Sequence, residues 1–268
     1  LTIFALLCAL AGAPLGSVRA QSAAPAARAA DDAAGSDLDK GLSVAVGLGP
    51  GIGNRRVEMP TRSGERRLET RVFPAVDLGV RAQAPLRWGF SLTAQARYQT
   101  SLGLTATDLP ADRDATRAAP LRAHYLDLGL APGYRFGRLP DAVVLRLFVG
   151  WAFHGLRSVV RVGVPAYTLS GPVLRPELTV PLARGRIAFR IGPELLVLTG
   201  VSGSLRNIGY SAVPNAAWAV EGAIDVRITA RVYLAAAYRE SHAMLGSAWG
   251  ADMTDVERFT SVQAVLRY

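Results

Sequence analysis

The chain has 268 residues, half of them hydrophobic, with 27 glycines and only 7% aromatic and 19% charged residues. Its formal charge of +9 is carried almost wholly by arginine, Lys40 being the only lysine, and those arginines alternate singly with apolar residues, which argues against a clustered nucleic-acid surface. Beyond the N-terminal run no stretch approaches the ~18 consecutive apolar residues of a spanning helix, and a lone cysteine, Cys8, excludes a disulfide framework or a thiolate metal site.

Leu1 to Gly16 form an apolar run followed by Ser17-Val18-Arg19-Ala20 and then Gln21. Small residues at 18 and 20 have the spacing of a signal-peptidase site. Residues 1–20 are therefore expected to be a cleaved signal peptide. Residues 21–40, rich in Ala, Asp and Ser and without periodicity, are expected to be a disordered periplasmic tether.

From Gly41 the hydrophobic period is two, the pattern of a strand with one apolar face. Leu42, Val44, Val46 and Leu48 oppose small residues, and Val72, Val76, Leu78 and Val80 oppose Arg71, Asp77, Arg81 and Gln83. Trp88, Phe90, Leu92, Ala94, Ala96 and Tyr98 oppose Gly89, Ser91, Thr93, Gln95, Arg97 and Gln99. Further runs follow: Leu126–Leu130 through Phe136 against Asp127 and Arg135, and Val143 through Phe153 against Arg146 and His154. Then come Leu174, Leu178, Val180 and Leu182 against Arg175, Glu177 and Thr179, and Ile187, Phe189, Ile191, Leu195 and Val197 against Arg190 and Glu194. Trp218, Val220, Ile224 and Val226 oppose Glu221 and Asp225; a ninth run near residues 230–239 has ambiguous phase, and the tenth ends at Tyr268.

The connections alternate in length. Residues 50–69, 101–120, 155–171, 200–214 and 240–256 are long; 84–87, 137–141, 183–186 and 227–229 are short. Long loops at one end, short turns at the other and runs near the ~9–11 residues of a tilted spanning strand describe an up-and-down transmembrane β-barrel. The expected fold is thus all-β, with residues 41–268 forming an antiparallel barrel of about ten strands (eight or twelve as alternatives) in the bacterial outer membrane. Aromatics mark two belts. Trp88, Tyr134, Phe136 and Tyr268 lie at the short-turn ends, and Tyr98, Tyr125, Trp151, Phe153, Trp218 and Phe259 at the long-loop ends. Pro74, Pro132, Pro176, Pro181 and Pro193 fit this scheme poorly, because each removes a ladder donor.

The segment from Phe259 to Tyr268 resembles the C-terminal strand that outer-membrane barrels present to the insertion machinery, with Phe259, Val262, Leu266 and Tyr268 as its signal residues. The whole span 41–268 resembles the superfamily of small outer-membrane β-barrels. That resemblance implies a membrane location and contact with lipid and lipopolysaccharide, and is silent about activity.

With the apolar face toward lipid, the lumen receives interleaved arginines and carboxylates. A barrel of this size is filled by side chains, open channels needing about sixteen strands. Pairing Leu182 with Ile187 puts Arg175 opposite Glu194 and Glu177 diagonal to Arg190. Arg146, Asp77 and Glu221 belong to the same lumenal set. Their expected role is structural, because a buried charge without a partner is costly; since arginines outnumber acids slightly, a narrow pore with mild anion preference is the alternative. A third reading is hydrolytic. Pairing Phe136 with Val143 makes His154 diagonal to Asp127 near the outer rim, loosely similar to ten-stranded outer-membrane proteases of the omptin type, without a second acidic dyad. Gly47-Leu48-Gly49-Pro50-Gly51-Ile52-Gly53 lacks dinucleotide-loop spacing and reads as small lumenal residues. Arg55, Arg56, Arg62, Arg66 and Arg67, diluted by Glu58, Glu65 and Glu69, read as a solvated loop. No metal-ligand spacing is present, no cofactor is expected, and the loop ligand is unknown. The reading as a whole is a non-enzymatic barrel with a structural or surface-interaction role and a charged, largely plugged lumen.

Overall fold

A computed structural model describes residues 41–268 except 63, 111–116, 138–140, 159–163 and 212–214. The expected signal peptide and tether lie outside the described residues. The strands are β1 (Ser43–Thr61), β2 (Gly64–Thr70), β3 (Phe73–Pro85), β4 (Phe90–Ser101), β5 (Leu104–Pro110), β6 (Arg117–Arg135) and β7 (Val144–Ser158). They continue as β8 (Tyr167–Leu182), β9 (Ile187–Leu198), β10 (Gly200–Val201), β11 (Asn215–Arg227), β12 (Val232–Gly246) and β13 (Asp252–Arg267), with a short helix α1 (Gly203–Asn207) between β10 and β11. Three wall strands are broken at residues 71–72, 102–103 and 199, so β2–β3, β4–β5 and β9–β10 each count once. The result is a closed, ten-stranded antiparallel barrel. Closure joins the ends of the chain: Ala45 pairs with Arg267, and Val44 and Tyr268 exchange backbone hydrogen bonds of 3.1 and 2.8 Å.

Alternation places side chains on the wall as period two requires. Val46, Leu48 and Ile52 of β1, Leu145, Leu147 and Val149 of β7, and Leu195 and Val197 of β9 point outward and are exposed. Among the described residues no helix is long and apolar enough to cross a membrane; the outward apolar band is what meets lipid. Trp88, Phe90, Tyr134, Phe136 and Tyr268 lie outward at the short-turn end, with Tyr98, Trp151, Trp218 and Tyr238 at the other. Two expected belt members do not belong to it. Tyr125 and Phe259 are buried inside, because they share the odd-numbered phase of the lumenal residues on β6 and β13. Phe259 fills space left by a missing side chain: a Cβ on Gly51 would come 2.5 Å from its Cζ, so glycine is required there.

Four of the prolines that disturb the pattern in sequence, Pro74, Pro132, Pro176 and Pro193, face outward, while Pro181 keeps the inward parity of β8 near its periplasmic end. Pro132 marks a skip in the β6–β7 ladder. Between Leu174↔Leu195 and Leu178↔Ile191 the β8–β9 ladder is likewise interrupted, where Pro176 and Pro193 face each other without a donor between them.

The largest departure from the sequence expectation is at the long-loop end. The described parts of segments 50–69, 101–120, 155–171 and 240–256 are substantially strand: β1 runs on to Thr61 and forms a hairpin with β2, and β12 and β13 pair as far as Gly246↔Asp252. Above the membrane the alternation inverts. On β1 the outward residues become Asn54, Arg56 and Glu58, while Val57 and Met59 turn inward and are fully buried. A reading that looks for apolar residues on the lipid side stops where the lipid does.

Candidate functional site

The lumen holds two layers stacked along the barrel axis. The lower layer is charged. Asp77 of β3 accepts both arms of Arg97 from β4 at 3.1 and 2.8 Å, and also Ser261 Oγ at 2.8 Å and Gln99 Nε2 at 3.2 Å. Arg97 also reaches Glu221 on β11. Arg175 of β8 bridges Asp127 at 3.1 Å and Glu194 at 3.0 Å, and Arg239 of β12 donates to Glu194 at 2.8 Å. Tyr125 Oη donates to Asp127 Oδ2 at 3.0 Å, and Arg239 lies 4.1 Å above the Tyr125 ring. Toward the periplasmic end Arg146 meets Glu177 at 3.0 Å, Arg81 and Arg190 each lie 3.6 Å from Glu177, and Arg190 holds Asp225 at 2.7 and 3.0 Å.

Nearer the outer rim a second group continues this network. Arg55 of β1 grips Asp255 of β13 at 2.8 and 2.6 Å, and donates to the Gly155 carbonyl at 3.0 Å and Tyr167 Oη at 3.1 Å. Tyr167 Oη donates to Asp255 at 2.6 Å. His154 Nε2 lies 2.7 Å from Glu257 Oε2. Thus each of the inward carboxylates Asp77, Asp127, Glu177, Glu194, Glu221, Asp225, Asp255 and Glu257 has a basic partner. The lumenal inventory differs from the expected one: Arg71 is exposed at the break between β2 and β3, whereas Arg55, Arg239, Asp255 and Glu257 also face the lumen.

The upper layer is apolar. Val57, Met59, Leu68, Leu121, Leu156, Leu169, Leu198, Leu245 and Met253 converge on the axis, joined by Leu205 of α1 and by Tyr210, whose ring packs edge-on against Trp249 at 5.4 Å. Tyr210 Oη donates to the Pro60 carbonyl on the opposite hairpin. Two small cavities of about 10 Å³ each are present, one lined by Arg175, Glu177 and Glu221 and the other by Gln99, Tyr125 and Glu257. Each has room for roughly one water molecule and none for a larger ligand.

Of the site residues singled out in the sequence, Arg175, Glu194, Glu177, Arg190, Arg146, Asp77 and Glu221 all join the lower layer. His154 and Asp127 do not meet. The residue directly opposite His154 is Tyr125, which engages Asp127 together with Arg175, while His154, 3% exposed, reaches across the lumen to Glu257. Arg55, read in the sequence as part of a solvated loop, is instead buried on Asp255, Tyr125 was read as a belt residue, and Arg239, Tyr167, Asp255 and Glu257 were not singled out. The one available signal was phase, since Arg55, Asp255 and Glu257 keep the parity of the inward residues of β1 and β13. Among the described residues no group of three or more His, Cys, Asp or Glu side chains is placed to hold a metal.

No protein-family model matches the chain, and no curated protein matches it in sequence. Solved structures do match in shape. The outer membrane protease OmpT from Escherichia coli superposes with a TM-score of 0.53 at 11% identity, covering 86% of this chain and 97% of that one. OprG from Pseudomonas aeruginosa gives 0.40 at 6% identity (85% and 97% covered), and the β domain of the Bordetella autotransporter BrkA 0.39 at 14% (81% and 98% covered). At these identities the likeness is one of fold. The chain thus has the fold of an outer-membrane β-barrel, with the exposed apolar band on its wall that a membrane location requires.

Proposed function

We propose that this barrel does not conduct and that its role is structural or exercised at the extracellular surface. The observation that carries the reading is the stacking of an apolar layer on a charged one. Ions crossing the lumen must pass side chains already engaged in ion pairs, and then a layer whose described inward side chains are predominantly apolar. A narrow anion-preferring pore needs freely available arginines, whereas Arg55, Arg97, Arg175 and Arg239 are tied to carboxylates and Arg81, Arg146 and Arg190 crowd around Glu177. A hydrolase using His154 needs that imidazole at a cleft open to substrate, whereas it is buried against Glu257 below Leu156.

The partners follow from the wall. Lipid covers the apolar band, and the insertion machinery engages the last strand through Val262, Leu266 and Tyr268, which are outward, with Phe259 contributing packing inside the lumen. The test is single-channel conductance of the refolded full chain in a planar bilayer, with heat-modifiable gel mobility as the folding control. Folded protein is expected to be silent. Steady, anion-selective openings support the pore instead, and cleavage of peptides that is abolished by His154→Ala supports the hydrolase.

A further inference from the structure

Just outside the lipid-facing band, the outward charges of β1, β2, β12 and β13 neutralise one another. Arg56 contacts Glu58, Arg67 contacts Glu69 at 3.1 Å, and Arg258 contacts Glu240 at 3.3 Å. On β6 and β7 the pattern differs. Arg122 and Arg157 are direct cross-strand partners, both exposed, and no carboxylate among the described residues makes an ion pair with either. Like charges directly opposite on a sheet face repel and are destabilising. One step below them His124 faces Gly155 and Thr100 on its two neighbouring strands. Below that come apolar Leu126 and Phe153. Beside Arg122, at the break in the neighbouring wall strand, Leu102 is exposed, and Val72 is exposed at the break one strand further on.

Height decides what the pair meets. At ~3.3 Å per residue and a tilt of ~40°, Arg122 stands roughly 10 Å above Leu126, the last apolar outward residue of β6. That is the headgroup layer of the outer leaflet. We propose that Arg122 and Arg157 form a clamp for a phosphate of lipopolysaccharide, with His124 below it and Leu102 and Val72 against the apolar part of the same lipid. Two guanidinium forks converging on one phosphate turn the repulsion into charge-assisted hydrogen bonds. The exposed leucine and valine favour a lipid-borne phosphate over a free one. The site is external to the lumen and stands whether or not the barrel conducts.

The test is equilibrium binding of three probes to the refolded full chain in detergent: bisphosphorylated lipid A, its dephosphorylated counterpart and inorganic phosphate. The wild type is expected to prefer the phosphorylated lipid, with inorganic phosphate competing poorly. Arg122→Gln/Arg157→Gln is expected to weaken lipid A binding about tenfold or more while leaving the dephosphorylated lipid unaffected. Arg56→Gln, which removes an equal charge from a paired arginine, is expected to change little. Equal weakening by Arg56→Gln, or unchanged binding in the double variant, overturns the clamp; effective competition by inorganic phosphate overturns its assignment to lipid. Should the double variant not fold, the wild-type preference between the two lipids and the single Arg157→Gln variant decide the matter, indifference in both being the contrary result.

Discussion

The lower and upper halves of this barrel use the same strands in opposite senses. Within the bilayer, Leu48 of β1 faces lipid and Gly49 faces the lumen; a few residues further on, Arg56 faces outward and Val57 inward. The backbone geometry has not changed. What changed is the solvent outside. Where lipid surrounds the wall, apolar side chains gain nothing by turning inward, and the interior is left to charges that satisfy each other. Where water surrounds it, the hydrophobic effect drives apolar residues to the axis, as in a soluble protein. One chain therefore carries two kinds of core, and the second seals the first.

The comparison is broken most severely by attacking the charged core where it meets the apolar one. Asp255→Ala leaves Arg55 buried without its carboxylate and is expected to cost roughly 3–5 kcal/mol, read as a fall in the denaturant midpoint of the heat-modifiable form. The double replacement Arg55→Met/Asp255→Leu is expected to recover most of that loss. If it remains as unstable as the single variant, the pair does more than fill space. The zone boundary is sharpened by moving one arginine along the outer face of one strand. Leu48→Arg, in the middle of the apolar band, is expected to cost about 2–4 kcal/mol, and Asn54→Arg about 0–1 kcal/mol, by the same unfolding assay. Equal costs at the two positions would place the boundary elsewhere.

What was legible in the sequence follows the same division. Alternation against lipid revealed the strands at Phe90–Tyr98 and Ile187–Val197, the tight turn at residues 183–186 and the lumenal phase of Arg175 and Glu194, because each depends on neighbours along one strand or across one turn. Trp88 and Gly89, read as the start of the first of these strands, belong instead to the 3-10 turn Arg87–Gly89. The strand extensions did not show, because the apolar residues of 54–61 and 242–254 change sides and imitate the end of a pattern. Nor did the partners that depend on closure. Arg97 meets Glu221, and His154 meets Glu257, across a lumen between strands that share no ladder. No local spacing encodes such a contact. Phe259 shows the remaining difficulty: an aromatic near a strand end reads as a belt residue unless its parity is counted against Val262 and Leu266.

The central claim, a lumen sealed from above by apolar packing and filled by paired charge below, is tested most directly by solvent access to a single interior cysteine. Ser261 sits on the lumenal face of β13 and donates to Asp77. In a Cys8→Ser background, Ser261→Cys in the folded barrel should resist a membrane-impermeant maleimide and react only on unfolding, while Asn54→Cys on the outer face reacts at once. Labelling of folded Ser261→Cys at the rate of the surface cysteine would show a water path through the lumen and contradict the account.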